Sequence, residues 1–338
     1  MKRFLLIILV MAMFLLALAN VLWGSLSIPT EAAWQILCGN NIPEHPSWTY
    51  IILEHRIPQM VTALFCGAAL STSGLLLQTA FRNPLAGPSI LGIDSGANLG
   101  VAVAMLFFGG NLTLGSLSLG GYLLVITAAF AGALAIMVVL LMLSSLLRNQ
   151  VMLLITGVII SYVTGSVISL LNFSATEEGV HAYIMWGMGN FSGIALDRLP
   201  HFVLLCGIGL GVSFLLTKSL DTLLLGDNYA TNLGVRIRLT RNALLLCTGL
   251  LTATTTAFCG PISFLGLAVP HIARMVMRTS NHRILLPATM AAGACLALAC
   301  NLCSTLPTNG SIIPINVITP LVGAPVILYV ILHSRKRQ

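Results

Sequence analysis

Apolar runs separated by short polar breaks follow one another along the whole chain. They predict ten helices, at about 4–26, 56–80, 89–108, 118–143, 152–172, 199–217, 241–259, 262–277, 286–305 and 316–333. A bilayer core of ~30 Å takes ~20 residues of helix, and most of these runs reach that length. The first run follows Lys2 and Arg3, as the apolar part of a signal peptide would. It extends from Phe4 to Leu22, about the length of a full span, with no clean small-x-small cleavage site after it, so it reads as a retained helix. Pro261 divides the seventh run from the eighth, because proline lacks the amide that would continue a helix.

Composition turns these runs into membrane spans. Charged residues are 7% of the 338 and apolar residues 57%, where a soluble domain carries roughly 25% charge. The mean hydropathy is +0.97. Residues 1–338 therefore read as one transmembrane domain, all-α and integral to the membrane. Charge gives the orientation. With the N-terminus inside, fourteen of the 16 lysines and arginines fall at the inner ends of the spans: Lys2, Arg3, Arg82, Arg148, Lys218, Arg236, Arg238, Arg241, Arg274, Arg278, Arg283, Arg335, Lys336 and Arg337. Arg56 and Arg198 are outside. That is the positive-inside bias of short loops, and it predicts ten spans with both termini cytoplasmic. The net charge of +7 has the same origin and gives no reason to invoke nucleic acid.

Glu31, Glu44, Glu54, Glu177, Glu178 and Asp197 all face outward on this map. Asp94 is expected near the inner end of the third span, just past Pro88, leaving no carboxylate at mid-membrane depth. Ion-coupled carriers usually need one there, which disfavours the alternative of a stand-alone secondary transporter. Of the eight cysteines only Cys38 falls in a clearly extramembrane stretch, so no disulfide framework is expected. Cys300 and Cys303 read as small packing residues. His271 has no second ligand at i+3 or i+4, and no metal site is expected. The lysines Lys2, Lys218 and Lys336 follow no phosphate-loop spacing, and there is no His-Glu-x-x-His. The chain is expected to catalyse no bond chemistry and to hold no cofactor.

Three stretches are more specific than lipid-facing filler. The first runs from Arg56-Ile57-Pro58-Gln59 through Gly67-Ala68-Ala69-Leu70, Ser73-Gly74 and Gln78 to Asn83-Pro84-Leu85-Ala86-Gly87-Pro88, then Leu91-Gly92 and Gly96-Ala97. The second is Leu225-Gly226-Asp227 through Ala230 to Leu233-Gly234. The third is Gly260-Pro261-Ile262-Ser263-Phe264-Leu265-Gly266-Leu267, followed by Pro270-His271 and Arg274. In this order and spacing they resemble the FecCD/BtuC-type permeases of bacterial ABC importers for ferric siderophores, haem or cobalamin. The resemblance extends from about Arg56 to Gly323-Ala324-Pro325. It implies the type II importer fold with ten helices per subunit, a homodimer with the pathway on its two-fold axis, and an inner-membrane location among lipid. It also implies two cytoplasmic ATPase subunits, which hold the ATP and Mg, and a periplasmic or lipid-anchored substrate-binding protein.

The same residues carry readings of their own. Asn83-Pro84 and Gly87-Pro88 force a turn at the inner surface; a plain loop would need no more. Gly87-Pro88 and Gly260-Pro261 open similar short strings on opposite sides, a hint of an inverted repeat. Segment 218–240 reads as a short helix within a loop, Asp227 capping its start and Gly234 closing its end. Leu225, Ala230 and Leu233 would form a small apolar face there, which the resemblance makes the helix that couples to the ATPase. Gly157, Ser161, Gly165 and Ser169 recur every four residues. Spacing alone leaves helix packing and a pathway wall equally open, and the resemblance favours the wall. His271 is expected to anchor the inner end of its helix together with Arg274. At the outer face Arg56 matches a docking position of the resembled family, Gln59 stands where a second arginine is expected, and Glu177, Glu178 and Arg198 complete the charged surface.

Overall fold

The computed structural model describes residues 2–40, 44–114, 117–146, 150–305 and 312–334. Helix α1 (Lys2–Leu22) leads through α2 (Thr30–Leu37) and α3 (Pro46–Tyr50) into a π-helical turn (Ile51–Arg56) and α4 (Ile57–Ala80). A non-helical stretch precedes α5 (Ile93–Ala102), which a second π-turn extends to Phe107. A small antiparallel hairpin, β1 (Asn111–Leu114) with β2 (Leu117–Gly120), departs from the all-helical expectation. Then come α6 (Gly121–Leu146), α7 (Gln150–Ser174), α8 (Glu177–Gly187), α9 (Leu199–Leu215), α10 (Thr217–Leu224) and α11 (Asp227–Asn232). The chain ends with α12 (Ile237–Cys259), α13 (Leu265–Met277), α14 (His282–Thr305) and α15 (Ile315–Ser334).

Among the described residues, six helices are long and apolar enough to cross a membrane alone: α1, the run Pro46–Ala80, α6, α7, α12 and α14. Helices α9 and α10 form a pair bent by 51°, and the apolar helices Ile93–Phe107, α13 and Ile315–Tyr329 are shorter. The expected loop arginine Arg148 and the terminal Arg335, Lys336 and Arg337 lie outside the described residues.

Helix α4 is the hub, packed on α14, α12, α13 and α9. Glycine makes these contacts possible. A Cβ on Gly74 would stand 1.7 Å from the Gly266 carbonyl oxygen, so α4 and α13 touch backbone to backbone. Gly96 and Gly132 play the same part between α5 and α6, where a Cβ on Gly96 would stand 2.5 Å from the Gly132 oxygen. Hydrocarbon gives apolar helices little reason to associate, so close approach through small residues is the main source of cohesion.

The short helices α5 and α13 both begin part-way along α4. The Ser73 hydroxyl bonds that of Thr252 at 3.0 Å, and at 1.5 Å per residue Ser73 sits ~10 Å from the inner end of α4. Thr256, one turn further along α12, binds Asp94 at 2.8 Å, which places Asp94 ~16 Å deep. That is about half of a ~30 Å core. Asp94 is thus at the inner end of its own helix, as expected, but that helix starts well above the inner end of α4. Residues 81–92 are not helical; they climb back into the membrane before α5 starts.

Candidate functional site

At the end that carries the inner-assigned loops, ionic and polar contacts tie several segments together. Asp227 bridges Arg82 at 2.8 Å and Arg241 at 2.7 Å. Both pairs are partly exposed, so each contributes less than about 1 kcal/mol, and their effect is to set register. The structure corrects the capping role assigned to Asp227: Gly226 is the N-cap, at φ +102°, and Asp227 is the first residue of α11. Gly234 closes α11 as expected. At φ +82° it lets Val235 N–H donate to Ala230 O and Gly234 N–H to Thr231 O, each 2.9 Å, a Schellman closure.

The apolar face differs from the expected one. Ala230 is fully buried against the body, while Leu225, Tyr229 and Leu233 are 60%, 67% and 60% exposed. Behind them, Asp221 Oδ1 accepts from the His282 backbone N–H at 2.8 Å and lies 2.7 Å from its Nδ1. The far nitrogen of His282 lies 3.0 Å from the Thr79 hydroxyl on α4. This α10–α14–α4 chain was missed in the sequence; the available signal was a carboxylate set in a strongly basic loop. His271 Nε2 lies 2.8 Å from Pro84 O, and Arg274 donates to Gln78 Oε1 at 2.6 Å. Both hold α13 to the Asn83–Pro88 turn and to α4. Asn83 Oδ1 accepts from Leu85 N–H at 2.9 Å, so the turn has its own internal brace.

The four-residue stripe on α7 divides. A Cβ on Gly157 would meet Ile90 O at 2.6 Å, and Ser161 Oγ lies against Gly92, so these two pack on the start of α5. Gly165 has open space beside it and Ser169 is exposed. The upper half of the stripe is thus free to face a pathway, and the lower half is packing.

At the opposite end, Arg56 is buried, 6% exposed. Its guanidinium donates to Val21 O at 3.0 Å, Leu22 O at 2.9 Å and Leu26 O at 2.5 Å. The Val21 and Leu22 carbonyls close α1, where a cation is favoured by the helix dipole. Its placement as an exposed docking charge is corrected: it is a helix clamp. Gln59 is half-buried and donates to Asn301 Oδ1 at 2.9 Å, while Asn301 donates to Asn20 Oδ1 at 2.8 Å. Glu177 and Glu178 are exposed in the first turn of α8, which Thr176 caps. Arg198 pairs loosely with Asp197 at 3.8 Å and sits over the Tyr122 ring at 4.6 Å. Asn316 clamps the motif after Gly260-Pro261: its Nδ2 donates to Gly187 O and Pro261 O, and its Oδ1 accepts from Ser263 N–H.

Between the two ends, the two Gly-Pro strings face each other. Gly87, Pro88, Ser89 and Asp94 on one side and Ile262, Ser263, Phe264, Gly266 and Leu267 on the other line a cavity of about 180 Å³.

Comparison with known proteins agrees with this architecture. Residues 8–333 match the model of the FecCD transport family. The chain is 35% identical over 286 residues to a vitamin B12 import system permease protein, BtuC, of Klebsiella pneumoniae, covering 85% of this chain and 83% of that one. It is 33% identical over 335 residues to the Fe(3+) dicitrate transport system permease protein FecD of Escherichia coli, covering 99% and 100%. It is also 33% identical over 345 residues to the hemin transport system permease protein HmuU of Yersinia pestis, covering 100% and 97%. Among solved structures, a metal-chelate type ABC transporter in an inward-facing conformation superposes with a TM-score of 0.83 at 28% identity, covering 97% of this chain and 98% of that chain.

Proposed function

The chain belongs to the FecCD transport family, and from that premise we propose that it is the membrane-spanning subunit of an ATP-driven importer for a bulky metal chelate. Ferric siderophores and haem head the cargo class, with cobalamin inside it. The observation that carries this reading is the family match across residues 8–333, with relatives named for vitamin B12, ferric dicitrate and hemin systems. The chain would act as one transmembrane domain of the bacterial inner membrane, with ten spans and both termini cytoplasmic. Two copies would pair about the pathway. The lysines follow no phosphate-loop spacing, which supports a reading in which two separate ATPase subunits hold ATP and Mg and a substrate-binding protein delivers cargo from outside.

In this reading the segment 218–240 couples to the ATPase through Leu225, Tyr229 and Leu233, with Gly226, Asp227, Ala230 and Gly234 giving it shape. Gly165 and Ser169 face the pathway. Glu177, Glu178 and Arg198 meet the binding protein. One observation favours the rival, a stand-alone secondary transporter: Asp94 is a carboxylate at mid-depth, where ion-coupled carriers hold their ions. Reconstitution of the chain with its ATPase and binding protein separates the two. Chelate uptake that needs ATP and survives collapse of proton and sodium gradients is expected; uptake by the chain alone, driven by a gradient, would overturn the importer reading.

A further inference from the structure

Asp94 takes its one hydrogen bond, among the described residues, from Thr256 at 2.8 Å and pairs with no basic side chain. Asp94 is half-buried and level with the middle of α4, and an unpaired charge withdrawn from water is relieved either by a proton or by a compensating positive species. The start of α5, where Asp94 is the second residue, supplies about half a positive charge. At the start of α13 three of the first four amides are engaged: Leu265 N–H donates to Ser263 O, and Leu267 and Ala268 N–H donate to Phe264 O. The site therefore stays net negative.

The cavity beside Asp94 offers neutral oxygens to complete a shell. The Ser89 and Ser263 hydroxyls line it and make no hydrogen bond among the described residues. Pro88 and Ile262 also line it, from the two non-helical strings, and their carbonyls accept no backbone hydrogen bond there. One carboxylate with hydroxyl and carbonyl oxygens is a hard ligand set. Imidazole and thiolate do not join it, for no three His, Cys, Asp or Glu side chains gather among the described residues. A single negative charge matches a monovalent cation better than a divalent one. Two helices broken by Gly-Pro at corresponding places in the two halves, meeting at mid-depth, form the kind of architecture in which unwound backbone holds such ions.

We propose that the cavity between the two Gly-Pro strings binds a monovalent alkali cation through Asp94, Ser89 and Ser263, with the Pro88 and Ile262 carbonyls. The ion neutralises Asp94 and ties the start of α5 to the start of α13, so that the wall presents no net charge to cargo. The binding of the ion goes beyond the importer reading and does not depend on it; only its effect on cargo rests on that reading.

The test is thermal unfolding of the purified full chain in lithium, sodium or potassium chloride, each against choline chloride at equal ionic strength. At least one alkali cation should raise the melting temperature saturably, and Asp94→Asn should abolish that rise. Should Asp94→Asn fail to fold, the double variant Ser89→Ala with Ser263→Ala serves in its place and should need several-fold more salt for the same rise. Equal curves in choline and alkali salts overturn the proposal, as does a full response in Asp94→Asn. A response to pH with none to alkali cation assigns the compensating charge to a proton and also overturns it. Neither uptake nor ATP hydrolysis enters the readout, so failure here leaves the importer reading standing.

Discussion

Arg56 illustrates how residue type and residue role separate. An arginine at the outer end of a span offers a charge to a partner in principle, yet here two carbonyls at the end of α1 and one just beyond it consume its guanidinium. Removing it leaves those carbonyls without their donors. Arg56→Ala is expected to lower unfolding stability by roughly 2–3 kcal/mol, the range for charge-assisted bonds lost from a buried site, with Arg56→Lys recovering part of the loss. Denaturant unfolding in detergent measures this. A melt unchanged in Arg56→Ala would return the residue to the docking surface. Glycine carries a comparable lesson on α7. Gly157→Leu should cost about 1–3 kcal/mol by overpacking against Ile90 and Leu91, whereas Gly165→Trp should leave the melt unchanged and block uptake, because its side is open. Equal loss of stability in both variants would make the whole stripe packing.

At the scale of the element, α11 is shaped more by its two glycines and by Asp227 than by its own six residues. A helix that short is marginal in water, so its ends and its ion bridges must hold it. The outward side presents Leu225, Tyr229 and Leu233, and the inward side is Ala230. Leu233→Asp should change stability within about 0.5 kcal/mol, as exposed substitutions do, yet weaken ATPase association roughly tenfold or more, as loss of an interface anchor does. Ala230→Asp should instead cost at least ~2 kcal/mol, since it buries a charge without a partner. Pull-down of the ATPase beside a melting curve resolves the two. Tight association in Leu233→Asp would sink the coupling assignment.

For the whole molecule, the contacts gather the segments assigned to the inside at one end. Arg82, Asp227, Arg241, the Asn83–Pro88 turn and His282 are joined there, while Arg198, Asn316 and α8 lie at the other. On a cysteine-free background, needed because Cys38 and Cys303 are exposed, a cysteine at position 228 should label only when the membrane is permeable. Cysteines at 45 and 178 should label in intact cells. Reversal at any of the three removes the orientation around it.

What the sequence determined by itself was class and kinship, and its loop charges carried an orientation for the labelling to test. Hydropathy and loop charge are sums over many residues, so a few misplaced boundaries leave them intact, and the Gly-Pro, Leu-Gly-Asp and Pro-His strings are distinctive in order and spacing. The closure of α11 by Gly234 and the anchoring of α13 by His271 were also legible, because turn chemistry is local. Depth was not. A hydropathy run cannot tell a span that begins at the surface from one that begins halfway through, and only the backbone contact of Gly74 with Gly266 and the bond of Asp94 to Thr256 put α5 and α13 at mid-membrane. Burial of Arg56 and Ala230 was decided there as well. Each depends on a segment distant in the chain, the α1 terminus for one and the body beneath α11 for the other, and local pattern carries no record of where such a segment comes to rest.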